Sequence, residues 1–376
     1  MQAKTNPFTL GADYALCICT YKRPLLLLKL LQDVAAQTHS PEAVIIVDGD
    51  PASQGVANLL ATMDLSVAWR LWYLPSNHAN LSYQRYLGYK AARNLNAEVL
   101  LYLDDDLRIS QPDALEKVLF PLSWDKEEIF GVTATFQMVG YSQQTGTATL
   151  WDRQQYNNGG IPLLVRLFGN ARKIPPGGLS PAGQRRLPLD QGQDYAPVDW
   201  LRGGVMAYSM RALSEDCFSE DLFAMYQLRC GKGEDTFLSR KVRSKGQLLL
   251  AFCAQVEHPD DDLPKSYPYQ AYRFGYASAY SRRLLNDHYR GFDPPLWKDR
   301  FALFKSYLGT TGLNWWRAIS GPKKHRFAFA WGYTRGAIRG LVQKPTARNL
   351  TPKIDWFRDA EDALHNMIVI QNGRSI

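Results

Sequence analysis

Four apolar residues, Leu100-Leu101-Tyr102-Leu103, run without a break into Asp104-Asp105-Asp106. A short apolar run of this kind reads as a strand buried on both faces, and strand ends of an open α/β sheet are where ligands bind. Three adjacent carboxylates repel one another unless a cation lies among them. Oxygen ligands of this type suit Mg²⁺ or Mn²⁺, ions that commonly share their coordination shell with substrate phosphates. The competing reading is an acidic turn that follows a strand and caps a helix.

The preceding residues supply the rest of such a sheet. Tyr14–Thr20 is a short apolar run, Tyr21-Lys22-Arg23-Pro24 a turn, and Leu25–Val34 a leucine-rich stretch of helical length. Ala43–Val47 is a β-branched run that ends in Asp48-Gly49-Asp50. A third strand is expected over Trp69–Leu74, a helix over Leu81–Asn94 and the fourth strand over Glu98–Leu103. Continuous apolar strands alternating with helices predict an α/β fold with a parallel, Rossmann-like sheet covered on both faces.

Beyond this region the composition changes. From Tyr141 to Pro197 the chain is rich in Gln, Gly, Asn and Pro, which predicts a long mobile insertion of the lid or substrate-binding kind. Regular structure is expected again over Val198–Tyr208, in a helix through Glu234–Val242 and in a strand over Gln247–Ala254. Tyr267–Tyr289 and the residues from Arg300 onward read as helical, aromatic and basic.

Several motifs in this order resemble the inverting family-2 glycosyltransferases of the GT-A fold, over roughly residues 13–262. Cys19-Thr20-Tyr21-Lys22-Arg23-Pro24 is similar to the family's opening strand and turn, and Val47-Asp48 to its second strand. Asn77 and Arg85 resemble the segment before the metal motif, and Leu103-Asp104-Asp105-Asp106 the D-x-D signature. Gly203-Gly204 is similar to the small-residue strand under the donor sugar, Gly233-Glu234-Asp235 to the catalytic G-E-D, and His258 to the late metal histidine. Asp48-Gly49-Asp50 stands where D-D-G-S is commoner, so either Asp48 or Asp50 is the base contact. The third aspartate leaves it open whether Asp104 or Asp105 joins Asp106 at the metal.

The resemblance implies a nucleotide-sugar donor held by Thr20, Tyr21, Arg23, Asp48, Asp50, Asn77, Arg85, Asp104, Asp105, Gly203 and Gly204. It implies Mg²⁺ or Mn²⁺ at Asp104, Asp106 and His258, and catalysis by Asp235 with Glu234. A Lewis acid would neutralise the leaving diphosphate while a carboxylate takes the acceptor proton. Trp200 and Arg202 are acceptor candidates, the acceptor being a polysaccharide, oligosaccharide or lipid-linked glycan. Each residue also has a structural reading: Glu234-Asp235 as helix-terminal carboxylates, His258 and Trp200 as core, Arg23 and Arg85 as surface cations, Gly203-Gly204 as packing relief. Two other functions compete. One is a non-catalytic sugar-nucleotide or polysaccharide-binding protein. The other is a zinc sugar deacetylase, because His258-Pro259-Asp260-Asp261 resembles the H-P-D-D motif, although no later H-x-x-H follows.

The expected organisation is a GT-A domain over residues 1–262, with a nucleotide-binding half at 13–110 and an acceptor half at 111–262, and a helical basic region at 263–376. The net charge of +8 divides unevenly: to Pro264 there are 25 Lys+Arg against 29 Asp+Glu, and from Lys265 there are 19 against 7. Basic residues among Trp and Tyr suit an anionic membrane surface, and no nucleic-acid motif accompanies them. Five cysteines without a CxxC pair and the absence of a secretory pattern predict a reduced, cytoplasmic protein, peripheral to the inner face of the cell membrane.

Overall fold

The computed structural model describes residues 13–63, 67, 69–124, 128–139, 174–259, 267–371 and 374–375. Most of the insertion expected at 141–197 lies outside these, as do Asp260 and Asp261 of the H-P-D-D run.

The first part alternates as the apolar runs predict. It comprises β1 (Tyr14–Thr20), α1 (Pro24–Ala35), β2 (Ala43–Asp48), α2 (Gly55–Thr62), β3 (Arg70–Pro75), α3 (Leu81–Asn94) and β4 (Val99–Asp104). These strands are parallel, in the order β3-β2-β1-β4. Every residue of β1 and β2 is buried, which accounts for apolar sequences with no alternation. Register aligns Thr20 with Asp48 and Cys19 with Asp104, so three candidate site residues emerge along one edge of the sheet.

α3 is buried along most of its length, polar residues included. Asn80 caps it by accepting from the Tyr83 amide at 3.2 Å and donates to the Phe223 carbonyl at 2.7 Å. Gln84 donates to the Thr20 and Val47 carbonyls at 3.0 and 2.9 Å, tying the helix to the ends of β1 and β2.

The second part has α4 (Ala114–Leu119), β5 (Ile129–Val139), β6 (Tyr195–Val198), β7 (Val205–Ser209), α5 (Glu220–Gln227), α6 (Glu234–Arg243) and β8 (Gln247–Pro259). Here the sheet is mixed. β7 lies antiparallel between β4 and β5, β5 is parallel to β8, and β6 is antiparallel to β8. The stretch Val198–Tyr208 is two strands rather than one element. The break spans Asp199–Gly204, where the Gly203 and Gly204 carbonyls accept from Arg85 of α3 and the Asp104 amide of β4.

Three long helices follow: α7 (Pro268–Asp287), α8 (Trp297–Ser320) and α9 (Lys324–Val342). α7 and α9 meet along a glycine seam. A Cβ on Gly332 would lie 2.0 Å from the Tyr272 carbonyl oxygen, and one on Gly336 2.4 Å from that of Tyr276. Only glycine permits this backbone approach.

The last residues leave the helices. After α10 (Ala347–Leu350), α11 (Trp356–His365) packs on α3, and β9 (Ile368–Gln371) pairs antiparallel with β3, followed by β10 (Arg374–Ser375). The region expected as one helical unit over 263–376 therefore divides, its tail extending the N-terminal half of the sheet. The physical reason is that β3 would otherwise present an unpaired edge, and that Trp356 needs a core. It is fully buried against His78, Tyr83 and Phe223. Replacing it (Trp356→Ala) is expected to cost about 3–5 kcal/mol of unfolding free energy, measured by chemical denaturation, through loss of a large core side chain.

Candidate active site

The three strand-end carboxylates diverge. Asp104 accepts from Arg85 Nη2 at 2.8 Å, and Asp105 accepts from Thr20 Oγ1 at 2.7 Å and Arg23 Nη1 at 3.3 Å. Asp106 takes Arg23 Nη1 at 2.8 Å and lies 3.8 Å from His258 Nε2. Two arginines thus compensate the acidic triplet. Burial raises the Asp104 carboxyl despite Arg85, and raises Asp105 to about 6 against the pull of Thr20 and Arg23.

Arg85 is the junction of the site. Its guanidinium is buried and planar, and it donates to Asp104 and the Gly203 carbonyl, each at 2.8 Å, and to Glu234 Oε1 at 2.7 Å. One side chain from α3 therefore joins the end of β4, the Gly203 turn and the first residue of α6. Burial opposes its charge, but Asp104 and Glu234 outweigh that and hold it protonated. The Tyr102 hydroxyl donates to the Arg85 carbonyl at 2.6 Å and fixes the helix over β4.

Glu234 and Asp235 begin α6, entered through Gly233 at φ 85°, a conformation that suits glycine. Burial pushes the Glu234 carboxyl up to about 7, outweighing Arg85. Asp235 behaves oppositely. Burial would raise it, but the Arg185 guanidinium at 2.8 Å and the Thr236 amide at 2.7 Å on Oδ1 together lower it below its ordinary value. Its Oδ2 makes no hydrogen bond among the described residues. Gly203 lies alongside, where a Cβ would sit 3.4 Å from Oδ2.

Arg185 escaped the sequence reading. It lies in a short hairpin in which Leu179 bridges Arg185, and its guanidinium also stacks 4.8 Å over Trp200. α7 holds the hairpin, with Asn286 donating to the Pro181 carbonyl at 2.8 Å. No local motif distinguishes this arginine from its neighbour Arg186; its position depends on contacts about 50 and 100 residues away in sequence.

Other candidates fall in place less uniformly. Asp48 is wholly buried, taking the Tyr73 hydroxyl at 3.0 Å and the Asp50 amide at 2.9 Å, so Asp50 is the accessible carboxylate of that pair. Asp50 lies 3.9 Å from Lys22, which has φ 60° in the turn after β1, and Tyr21 is exposed. Asn77 is exposed on a loop that His78 pins to Asp359 at 2.8 Å. Trp200 is buried, Arg202 stacks 5.2 Å from the Phe136 ring centre, and a Cβ on Gly204 would fall 2.9 Å from that ring. Among the described residues no group of three His, Cys, Asp or Glu side chains comes together as a metal-binding set. Asp106 and His258 form a pair, and Asp104 is engaged by Arg85.

Two outcomes follow from this electrostatic arrangement. Carboxyl NMR titration is expected to show Glu234 titrating near pH 7 and Asp235 below the usual carboxylate range, with Arg185→Ala moving Asp235 upward. A carboxyl whose pKa is raised on folding binds its proton more tightly in the folded state. Glu234 therefore withdraws stability as pH rises from about 4.5 to about 7. Arg85→Met leaves the partly buried Asp104 and Glu234 without their buried cation and is expected to cost about 3 kcal/mol in urea denaturation.

Residues 15–171 match the family described as Glycosyl transferase family 2. No curated protein matches the chain in sequence. Solved structures that resemble it include the mannosyltransferase PcManGT from Pyrobaculum calidifontis in complex with GDP-Man and Mn²⁺, at 14% identity and TM-score 0.44, covering 95% of this chain and 89% of that one. Others are GalNAc-T7 with UDP, GalNAc and Mn²⁺, at 13% identity and TM-score 0.43 over 93% of this chain and 58% of that one, and S. aureus TarS 1-349, at 12% identity and TM-score 0.38 over 87% and 90%. The match to the family-2 glycosyltransferase description thus spans residues 15–171, within an α/β core that is followed by C-terminal helices.

Proposed function

We propose that this protein is an inverting glycosyltransferase that moves a sugar from a nucleotide-sugar donor to a glycan or lipid-linked glycan. The observation that carries the reading is the Arg85 fork, which joins the strand-end Asp104 to Glu234 at the start of α6 and so links the diphosphate end to the base end.

Asp235 is the base. Arg185 and the Thr236 amide occupy Oδ1 and orient the carboxylate, while Oδ2 is left for the acceptor hydroxyl. As that oxygen attacks the anomeric carbon, its proton passes to Oδ2, the new C–O bond forms, and the bond to the diphosphate breaks with the electron pair leaving on the nucleotide. A single displacement inverts the anomeric carbon. The lowered basicity of Asp235 suits a proton transfer that occurs late, when the attacking oxygen has become acidic.

Asp106 and His258 are a fitting pair of oxygen and nitrogen donors for Mg²⁺ or Mn²⁺, while Asp104 is held by Arg85. When bound, such an ion offsets the charge of the leaving diphosphate. Arg23, half-exposed beside Asp106, is placed for a phosphate oxygen, and Asp50 for the nucleoside. Of the acceptor candidates Trp200 and Arg202, Trp200 acts by supporting Arg185 rather than as an open platform. The natural setting consistent with it is the cytoplasmic side of a membrane.

The test is a thermal-shift panel of nucleotide sugars with Mn²⁺ or EDTA, combined with turnover assays. One nucleotide class is expected to raise the melting midpoint in a metal-dependent way, an effect abolished in Asp106→Ala. Asp235→Asn should retain the shift and lose at least about a thousandfold in turnover. Binding without turnover in the wild type with every donor and acceptor would instead support the binding-protein reading.

A further inference from the structure

The outer face of α8 inverts the usual arrangement of a surface helix. Trp297, Phe301, Phe304, Leu308, Trp316 and Ile319 follow helical spacing and are all exposed, Trp297 at 80% and Ile319 at 64%. Gly312 continues the row, and a Cβ there would meet nothing within 4 Å. α9 repeats the pattern with Phe327, Trp331, Ile338 and Val342, each exposed. A contiguous apolar face of this length on a water-soluble helix signals an unfilled partner surface.

Charge identifies the partner. From Trp297 to Val342 there are nine Lys and Arg and a single carboxylate, Asp299. That carboxylate is buried and bound by Arg290 at 2.7 Å, so the exposed charge on these helices is entirely positive. Lys298, Lys323, Lys324 and Arg326 are exposed at the ends of the two apolar rows. A second copy packed face to face on these helices would bring like charges together. Neither helix is apolar enough to cross a membrane. Apolar rows bearing tryptophan, edged by cations and lacking anions, match the headgroup boundary of an anionic bilayer, into which such helices lie lengthwise.

We propose that the α8–α9 face docks the protein on an anionic lipid surface, with the aromatic rows inserted below the headgroups and the flanking lysines over the phosphates. The docking needs no catalysis and stands apart from the transfer reaction.

The full-length protein is tested by flotation with vesicles of phosphatidylglycerol and phosphatidylcholine, against vesicles of phosphatidylcholine alone, with light scattering for oligomeric state. Association with the anionic vesicles is expected, and it should weaken in about 1 M salt, where charges are screened beyond about 3 Å. Lys323→Gln with Lys324→Gln should lower partitioning by about 30-fold. Trp316→Ser with Ile319→Ser should abolish it at an unchanged melting midpoint, and brominated lipid should quench tryptophan fluorescence only in the parent. Failure to float with anionic vesicles overturns the proposal. So does equal, salt-insensitive flotation on neutral vesicles, or a dimer that the Trp316→Ser, Ile319→Ser variant breaks. Each of these readouts is independent of whether sugar transfer occurs.

Discussion

The buried guanidinium of Arg85 is the interaction on which the site depends. A charge in this position is tolerable only because carboxylates from two separate elements and a backbone carbonyl satisfy its donors. Those same contacts set the distance between β4 and α6. Remove the cation, and Asp104 and Glu234 become two anions facing a poorly hydrated interior. The charge balance of the centre and its shape are therefore one constraint, and the helix that supplies Arg85 is itself buried and pinned over its first turns by Asn80, Gln84 and Tyr102.

Around this junction the two acidic residues of α6 are driven apart. Glu234 is held about half-protonated near pH 7 because burial dominates, while Asp235 stays ionised because Arg185 and a helix-terminal amide reach it. Adjacent carboxyl groups with opposed shifts are a common way to give one residue a structural proton and the other a charge. The source of Arg185 matters here. It belongs to a hairpin gripped by α7 and the residues just after it, through Asn286 on the Pro181 carbonyl and Tyr289 on the Leu179 carbonyl.

Much of the nucleotide-binding half was legible beforehand because its strands are buried on both faces. A strand with no solvent side has no polar alternation to blur it, and β1, β2 and β4 fall within a residue or two of the apolar runs. The acidic triplet was equally visible, but its partners were not. A metal was the economical cation from sequence; in the folded chain Arg23 and Arg85 are the neighbours of these carboxylates. The difference in accessibility between Asp48 and Asp50 also needed the fold, since Asp48 is buried against the Tyr73 hydroxyl.

By itself, then, the sequence determined the parallel core, the strand-end position of Asp104–Asp106, the helix that begins at Glu234 and the basic, aromatic character of the last third. These depend on local periodicity and on chain order. Tertiary structure alone decided which carboxylate meets which cation, the placement of Arg185 on Asp235, the return of β9 to the edge of β3, and the fact that the aromatic rows of α8 and α9 point outward. Those outcomes are set by contacts between residues far apart in the chain, and a one-dimensional pattern does not encode which of two faces a helix will bury once a glycine seam has claimed the other.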